Sequence, residues 1–491
     1  MDSLSAALSW KEGTEFVHNK AELLKLVSPG KLFVCSSAPV QQAAEGNIHI
    51  IAPQISHGAA IKQLLDLCSS RYLLLLNDQP GKVCVEPNLP LRLFDALARN
   101  NALLAYSAYR LRQPGQGEML QPLIDYQTGS VRDDFDFGRL LLIDTVRLRE
   151  LVALHSYKIP QDASGLYGLR LLSNLAALPV RVAEPLYVNT VEDAPDFERE
   201  HFLYLARSEA GLQKRLEETF TDYAKRAGFY IPPFESRVDL NAKAFPAEAS
   251  IVIPVKNRKR TIGQALASAL EQRAPFSFNV LVIDNHSSDG TSAVVSGFSA
   301  KYRNVIHIIP ASQELEIGGC WNEALSNPAC GKFCLQLDSD DLYADNQVLR
   351  RMVDFFYEKS VAVVIGSYRV VDFDLRDVPP GIVDHREWSD ENGHNNALRV
   401  NGFGAPRAFY REIARKIGFP NVSYGEDYAV MLAISREFNI ARIYEPLYLC
   451  RRWEGNSDAR PSLEQMNARN YYKDNLRSRE IEKRRNLRLQ G

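Results

Sequence analysis

Four short blocks of this 491-residue chain occur twice, in the same order and about 260 residues apart. Residues 47–51 (NIHII) return as 305–309 (VIHII), and Tyr72 to Asp78 (YLLLLND) return as Phe333 to Ser339 (FCLQLDS). Ala102 to Arg110 match Val361 to Arg369, and Ala183 to Val188 (AEPLYV) match Tyr444 to Leu449 (YEPLYL). A near-constant offset over four blocks restricts the chain to two related domains. The first copy is expected over 14–192 and the second over 247–455. Residues 193–246 form a linker whose Arg199, Leu203, Leu205, Leu212, Leu216 and Phe220 fall at helical spacing, closed by Pro232-Pro233. Residues 456–491 form a polar helical tail ending in the basic run SREIEKRRNLRLQG, read as a solvated helix end or as a docking patch.

Within the second copy, apolar runs alternate with helical stretches. Ala249 to Pro254, Val280 to Ile283, Val305 to Ile309 and Phe333 to Leu337 read as strands; Arg260 to Glu271 and Thr291 to Tyr302 read as helices. Uninterrupted apolar strands joined by helices imply an α/β fold with a mostly parallel, Rossmann-like sheet buried on both faces. Such sheets bind ligands beyond the carboxyl ends of their strands, and Asp284 and Asp338 both stand there.

Balanced charge, 58 Lys+Arg against 60 Asp+Glu, excludes a strong field for nucleic acid or anionic lipid. No apolar run reaches the ~18 residues of a membrane span, and the N-terminal MDSLSAALSWKEG does not read as a secretory signal. Seven cysteines without a CxxC pair argue against a disulfide framework or a structural zinc site. The expectation is a cytoplasmic protein, with peripheral contact at the inner membrane face left open by the basic tail.

Asp338-Ser339-Asp340-Asp341 follows an apolar strand directly. Clustered carboxylate oxygens suit Mg²⁺ or Mn²⁺, which takes one or two carboxylates and shares itself with substrate phosphates. Gly425-Glu426-Asp427 precedes a helix over Tyr428 to Glu437, so Asp427 reads either as a helix cap or as a general base. Between these motifs lie His385, Trp388, His394 and Arg399, where an aromatic among polar neighbours suits stacking on a sugar.

Ser250-Ile-Val-Ile-Pro-Val-Lys-Asn257, Val282-Ile-Asp-Asn-His-Ser-Ser-Asp-Gly-Thr291, Leu337-Asp-Ser-Asp-Asp341 and Gly425-Glu-Asp427, in that order, resemble glycosyltransferase family 2 over about 200 residues. The resemblance implies two GT-A folds in tandem and an inverting, metal-dependent transfer of a sugar from a nucleoside diphosphate to an acceptor hydroxyl. It implies nucleotide-sugar contacts at Pro254, Asn257, Asp284, Asp338 and Ser339, with the metal on Asp340. Asp427 is the implied base. Acceptor contacts fall to Glu426, Trp388 and His385. The implied donor is a UDP-sugar by default, and the acceptor a saccharide or lipid-linked hydroxyl. The family often has Tyr at the place of Lys256, Asp at Asn285, Arg at Trp321 and His near Trp453, so the third metal ligand is open; Arg451-Arg452 is either a diphosphate clamp or a surface pair. The QxxRW motif of processive synthases is absent, and Pro254 to Arg260 lacks the glycines of a nucleotidyltransferase loop. A non-catalytic glycan-binding or assembly protein is the alternative.

At the same offset, Asp338 falls on Asn77, Asp340 on Gln79, Glu426 on Gly165 and Asp427 on Leu166. The first copy therefore reads as catalytically inert, with too few residues before Leu32 for a full nucleotide half. Dimerisation, acceptor binding and scaffolding all stay open as its role.

Overall fold

Aliphatic and β-branched runs without polar alternation need cover on both faces, and a parallel sheet between helices supplies it. A computed structural model of the chain describes residues 4–10, 13–27, 31–36, 49–51, 55–192, 210–234, 237–241, 243–386, 388–453, 456 and 461–490. The chain divides into two units. One comprises Met1–Phe197, Gly211–Tyr230 and Leu463–Gly491; the other comprises Glu198–Ala210 and Ile231–Ser462.

The first unit holds β1 (Leu4–Ser9), β2 (Leu32–Cys35), β3 (His49–Ile51), β4 (Tyr72–Leu76), β5 (Lys82–Val85), β6 (Leu104–Ser107), β7 (Tyr109–Arg112), β8 (Glu118–Gln121), β9 (Leu140–Asp144), β10 (Val180–Val182) and β11 (Tyr187–Thr190). They form a sheet in the order β10-β6-β9-β4-β1-β2-β3 and a smaller one, β5-β11-β7-β8. The second unit holds β12 (Ala249–Val255), β13 (Phe278–Asp284), β14 (Val305–Ile308), β15 (Phe333–Gln336), β16 (Leu342–Tyr343), β17 (Val363–Val371), β18 (Asp377–Val383), β19 (Arg407–Tyr410) and β20 (Ile440–Arg451). Their order is β14-β13-β12-β15-β19-β17-β20-β16, with β18 on β17.

The two units share strand order and direction. β1, β2, β3 and β4 are mutually parallel, as are β12, β13, β14 and β15. β9 runs antiparallel between β4 and β6, as β19 does between β15 and β17. Where the second unit has the long strands β17 and β20, the first breaks them into β6 and β7, and β10 and β11. This is the α/β fold with a mostly parallel sheet expected of each half.

Three expectations need correction. The first unit begins its sheet at β1, upstream of residue 14, where its start was expected. Its Leu-Ser-Ala-Ala-Leu-Ser is rich in small residues and carries little apolar signal, yet Leu4, Ala6, Ala7 and Leu8 are buried. The helix Ala210–Arg226 packs as part of the first unit, with Leu216 and Phe220 buried, instead of standing alone as a linker; Arg199, Leu203 and Leu205 lie outside the described residues. The C-terminal helix Leu463–Gln490 also belongs to the first unit, and Asp474, Arg477, Glu480, Ile481 and Arg484 are buried in it. Among the described residues no helix is long and apolar enough to cross a membrane.

Candidate active site

The parallel strands of the second unit deliver their carboxyl ends to one edge of the sheet. β12 ends at Pro254-Val255, and the chain turns through Asn257 in a left-handed conformation (φ 55°). Asn257 Oδ1 accepts from Ser288 N at 2.8 Å, and its own N–H donates to Ser287 Oγ at 3.0 Å. The turn after β12 is thus fastened to the turn after β13. Asp284 is the other fastening. Its carboxylate accepts from Ser287 N at 3.0 Å, from the Ser292 hydroxyl, and from His307 Nε2 at 3.2 Å. Burial alone would raise its pKa, but these donors outweigh it and hold the carboxyl below the ordinary range. Asp284 is fully buried, and in this structure its carboxylate organises the loop. The neighbouring Asn285 donates to Leu315 O at 2.6 Å and keeps a buried Oδ1 with no hydrogen-bond partner among the described residues.

Past β15, Gln336 Nε2 donates to both oxygens of Asp338, at 3.0 and 2.9 Å, and Asp338 N donates to Tyr448 Oη at 2.8 Å. Burial raises the pKa of Asp338, and burial together with Asp338 and Asp340 raises that of Asp341 well above the usual range. Ser339 is buried between them. Asp340 reaches toward the open edge: its Oδ2 accepts from Trp453 Nε1 at 3.1 Å and Asn456 Nδ2 at 3.3 Å, and Arg258 Nε lies 4.0 Å away. Arg451 closes the group from β20. Its N–H donates to Asp341 Oδ1 at 2.7 Å, and its guanidinium bonds Asp340 O and Gln264. It is buried to 1 % exposure, which removes the surface-pair reading, and Nη2 has no hydrogen-bond partner among the described residues. Trp453 also receives Arg258 and Arg260 over its ring, at 6.0 and 5.5 Å from the centroid.

Asp427 sits in the first turn of the helix Glu426–Glu437, which opens at Gly425 in a left-handed conformation (φ 79°). It is a helical residue and not the cap; its Oδ1 accepts from Tyr428 N at 2.7 Å. Its Oδ2 meets Arg407 Nη1 at 2.8 Å. Arg407 N in turn donates to Gln336 Oε1 at 3.3 Å, so Asp427, Arg407, Gln336 and Asp338 form one connected chain. Burial works against the Arg407 charge, but Asp427 and Asp338 raise its pKa overall. Glu426 is buried, and burial with Asp427 alongside pushes its carboxyl up to about 8. The loop before this helix is pinned by Asn322, whose Oδ1 accepts from Phe419 N and whose Nδ2 donates to Phe419 O, both at 2.8 Å.

Asp338, Ser339, Asp340, Glu426 and Asp427 therefore converge, with Pro254 and Asn257 on the adjoining loop. Trp388 and His385 do not present themselves to a ligand. Trp388 is 6 % exposed, with Gly393 pressed against its ring, Phe403 edge-on at 5.9 Å and Arg442 over its face at 5.3 Å. His385 is equally buried, behind Gly404. Both build the core of the 384–404 segment, so the expected sugar-stacking face is covered. Sequence reasoning missed Arg407, Arg258 and Trp453 as partners of the carboxylates. Arg258 and Trp453 stand in the basic and aromatic runs Pro254 to Arg260 and Arg451 to Trp453, whereas Arg407 stands in neither.

The equivalent place in the first unit is filled from within. Asn77 stands after β4, and Arg139 Nε donates to its Oδ1 at 3.0 Å. Arg139 Nη1 bonds Pro80 O, Gly81 O and Asn189 Oδ1 at 2.8, 3.0 and 3.1 Å. The space left beside Leu8, Asn77, Asp78 and Arg139 is about 10 Å³, no more than one water.

Residues 250–418 match the family model described as Glycosyl transferase family 2. Over 210 residues the chain is 25% identical to a poly(ribitol-phosphate) beta-glucosyltransferase of Bacillus spizizenii, covering 41% of this chain and 32% of that protein. Over 116 residues it is 31% identical to the uncharacterized glycosyltransferase YfnE of Bacillus subtilis, covering 24% and 29%. The chain thus spans about a third of the length of these relatives. Among solved structures, S. aureus TarS 1-349 in complex with UDP-GlcNAc aligns over 48% of this chain and 71% of that one, at 20% identity and a TM-score of 0.37. The mannosyltransferase PcManGT from Pyrobaculum calidifontis, in complex with GDP-Man and Mn2+, aligns over 56% and 85%, at 16% identity and a TM-score of 0.34. Within the second unit of this chain, residues 250–418 are the segment that matches this glycosyl transferase family 2 model.

Proposed function

We propose that the second unit transfers a sugar from a nucleoside-diphosphate donor to an acceptor hydroxyl, with inversion, in the assembly of a glycan or polysaccharide. The observation that carries this reading is the grouping of Asp340, Arg258 and the buried, partly unsatisfied Arg451 at the carboxyl end of a parallel sheet. A buried guanidinium with a free donor suits a planar anion, and two guanidiniums beside one carboxylate suit a diphosphate. The relatives at the family level are named glycosyltransferases, which supports the same class. UDP is the default nucleotide of the proposal.

The donor set at Asp340 fits a divalent cation. The hydrogen bonds from Trp453 and Asn456 both go to Oδ2, and Mg²⁺ or Mn²⁺ needs only one or two carboxylates when substrate phosphates complete its sphere. When bound, such an ion offsets charge on the departing diphosphate. The chain's own residues do the rest. Arg258 and Arg451 hold the leaving group, and their charge stabilises it as it departs. Asp427 accepts the acceptor's proton at Oδ2 as the hydroxyl attacks the anomeric carbon from the opposite face. Arg407 keeps that carboxylate aimed until the acceptor arrives. Glu426, whose carboxyl is protonated up to about pH 8, shapes the acceptor side as a hydrogen-bond donor.

We read the first unit as an inert copy of the same fold. Its Arg139 takes up the space that a cation and diphosphate need, and neither Asn77 nor Gln79 supplies a carboxylate.

A donor screen tests the function. Purified protein is incubated with UDP-, GDP- and dTDP-sugars, with Mn²⁺ or chelator, and nucleotide release is followed. Release from one donor that needs the ion, vanishes in Asp340→Ala and Asp427→Ala, and survives Gln79→Ala is the expected result. No binding of any nucleotide by calorimetry would overturn the enzyme reading and leave a glycan-binding role.

A further inference from the structure

The first unit brings together three side chains of a different chemistry. His18 and Glu22 are one turn apart on the helix Thr14–Leu24, so they share a face. That face lies on β5, which carries Cys84. His18 Nε2 stands 3.6 Å from Cys84 Sγ, and one ligand atom from each of His18, Glu22 and Cys84 lies within 4.8 Å of the others. We infer that this cluster is a zinc site, made of imidazole, carboxylate and thiolate, that clamps the first helix to β5.

The geometry supports an ion. Zinc bonds of about 2.0 to 2.3 Å in a tetrahedron place ligand atoms roughly 3.3 to 3.8 Å apart. Small side-chain rotations bring the three atoms to that spacing. The backbone beneath them is already fixed. Asn19, between the two helical ligands, accepts from Val83 N at 2.8 Å and donates to Gly81 O at 3.1 Å. Glu22 Oε2 accepts from Val85 N at 3.2 Å. Helix and strand are therefore locked on both sides of Cys84 before any ion binds, so little ordering remains to be done on binding.

The chemistry selects the metal. A thiolate with an imidazole favours Zn²⁺ over Mg²⁺ or Ca²⁺, which want oxygen alone. Cys84 is exposed, so a water completes the fourth position and the ion has a path in. Two present contacts give way. Lys25, now paired with Glu22, is 63 % exposed and can swing into solvent. His18 Nε2 exchanges its contact with Val83 O, at 2.8 Å, for the ion. Binding releases the Cys84 proton to solvent.

The test uses the full chain stripped of metal by chelator. Zn²⁺ is titrated against a chromogenic competitor, and Co²⁺ is followed by its visible and near-ultraviolet absorption. One site of micromolar affinity or tighter is expected, with a sulfur-to-cobalt charge-transfer band and tetrahedral ligand-field bands. Cys84→Ser and His18→Asn should each weaken binding by at least about tenfold, and Cys84→Ser alone should abolish the sulfur band. Zn²⁺ should raise the melting temperature of the wild type but not of Cys84→Ser. Equal metal-free melting of wild type and variants shows that folding is intact. No site of that affinity, a cobalt spectrum without the sulfur band, or equal affinity in Cys84→Ser would overturn the proposal. An ion held by the Asp338 to Asp341 segment yields oxygen ligation without the band, which separates the two sites.

Discussion

A single guanidinium, Arg407, holds the candidate chemistry in place. It meets Asp427 at 2.8 Å and faces Asp338 and Glu426, so three carboxyl groups depend on it. Arg407→Gln should cost about 2 kcal/mol of stability, because a charged hydrogen bond is lost and its partners stay partly buried. It should also move the pH profile of turnover, which a purely structural residue would not do. Asp427→Asn keeps the shape and removes the proposed base, so kcat should fall about a hundred- to ten-thousand-fold while the donor dissociation constant stays within about twofold. Steady-state nucleotide release and donor titration separate the two effects. Glu426 supplies a pH signature. Its folded-state value of about 8 lies above the ordinary range near 4.3, so the native state binds more protons than the unfolded chain between those limits. Stability should therefore fall as pH rises from about 4.5 to 8. Chemical denaturation across that range should show the slope in the wild type and a flatter line in Glu426→Gln.

At the scale of elements, the helix that carries Asp427 is set by the loop before it, and that loop is set by one close approach. A Cβ on Gly318 would stand 1.8 Å from Pro420 O, and a Cβ on Gly58 in the first unit would stand 1.6 Å from Pro160 O. Gly318→Ala should cost about 1–3 kcal/mol and also lower kcat, because the Asp427 turn must shift. Gly58→Ala should cost a similar amount and leave turnover per folded molecule unchanged. Denaturant midpoints and kcat on the same samples distinguish them. Much of this architecture was legible in the sequence. The runs around Ile251, Leu281 and Leu335 are apolar on both faces and announce parallel strands. The motif residues Asp338 and Asp427 are joined in the structure through Gln336 and Arg407. β1 was hidden because Ala6 and Ala7 are buried without being strongly apolar. Trp388 misled because an aromatic among polar residues looks the same whether it faces a ligand or, as here, Gly393 and Arg442. Arg407 escaped because a pairing across β15, β19 and a helix start is set by the fold and not by neighbours in sequence.

At the scale of the whole molecule, the polar composition of the C-terminal helix concealed its burial. Asp474 pairs with Arg477 at 2.7 Å, both fully buried, and also accepts from Ser130 at 2.8 Å; Arg484 pairs with Glu480 at 3.0 Å. These four charges are satisfied inside the first unit, whereas Arg479, Glu482 and Lys483 of the same helix are exposed. Arg477→Ala leaves Asp474 buried with weaker company and should destabilise the first unit by about 3–5 kcal/mol. Limited proteolysis should then cut the first unit early, while donor binding by the second persists. The arrangement also has a consequence for birth on the ribosome. Residues 463–490 supply a helix to a unit whose strands were made first, with Ile231–Ser462 between them in the chain. At about 5–20 residues per second, roughly ten to fifty seconds of translation separate the two. The younger unit can finish before the elder does, and a chain cut short near its end keeps the family-matching segment whole but leaves the first unit without its closing helix.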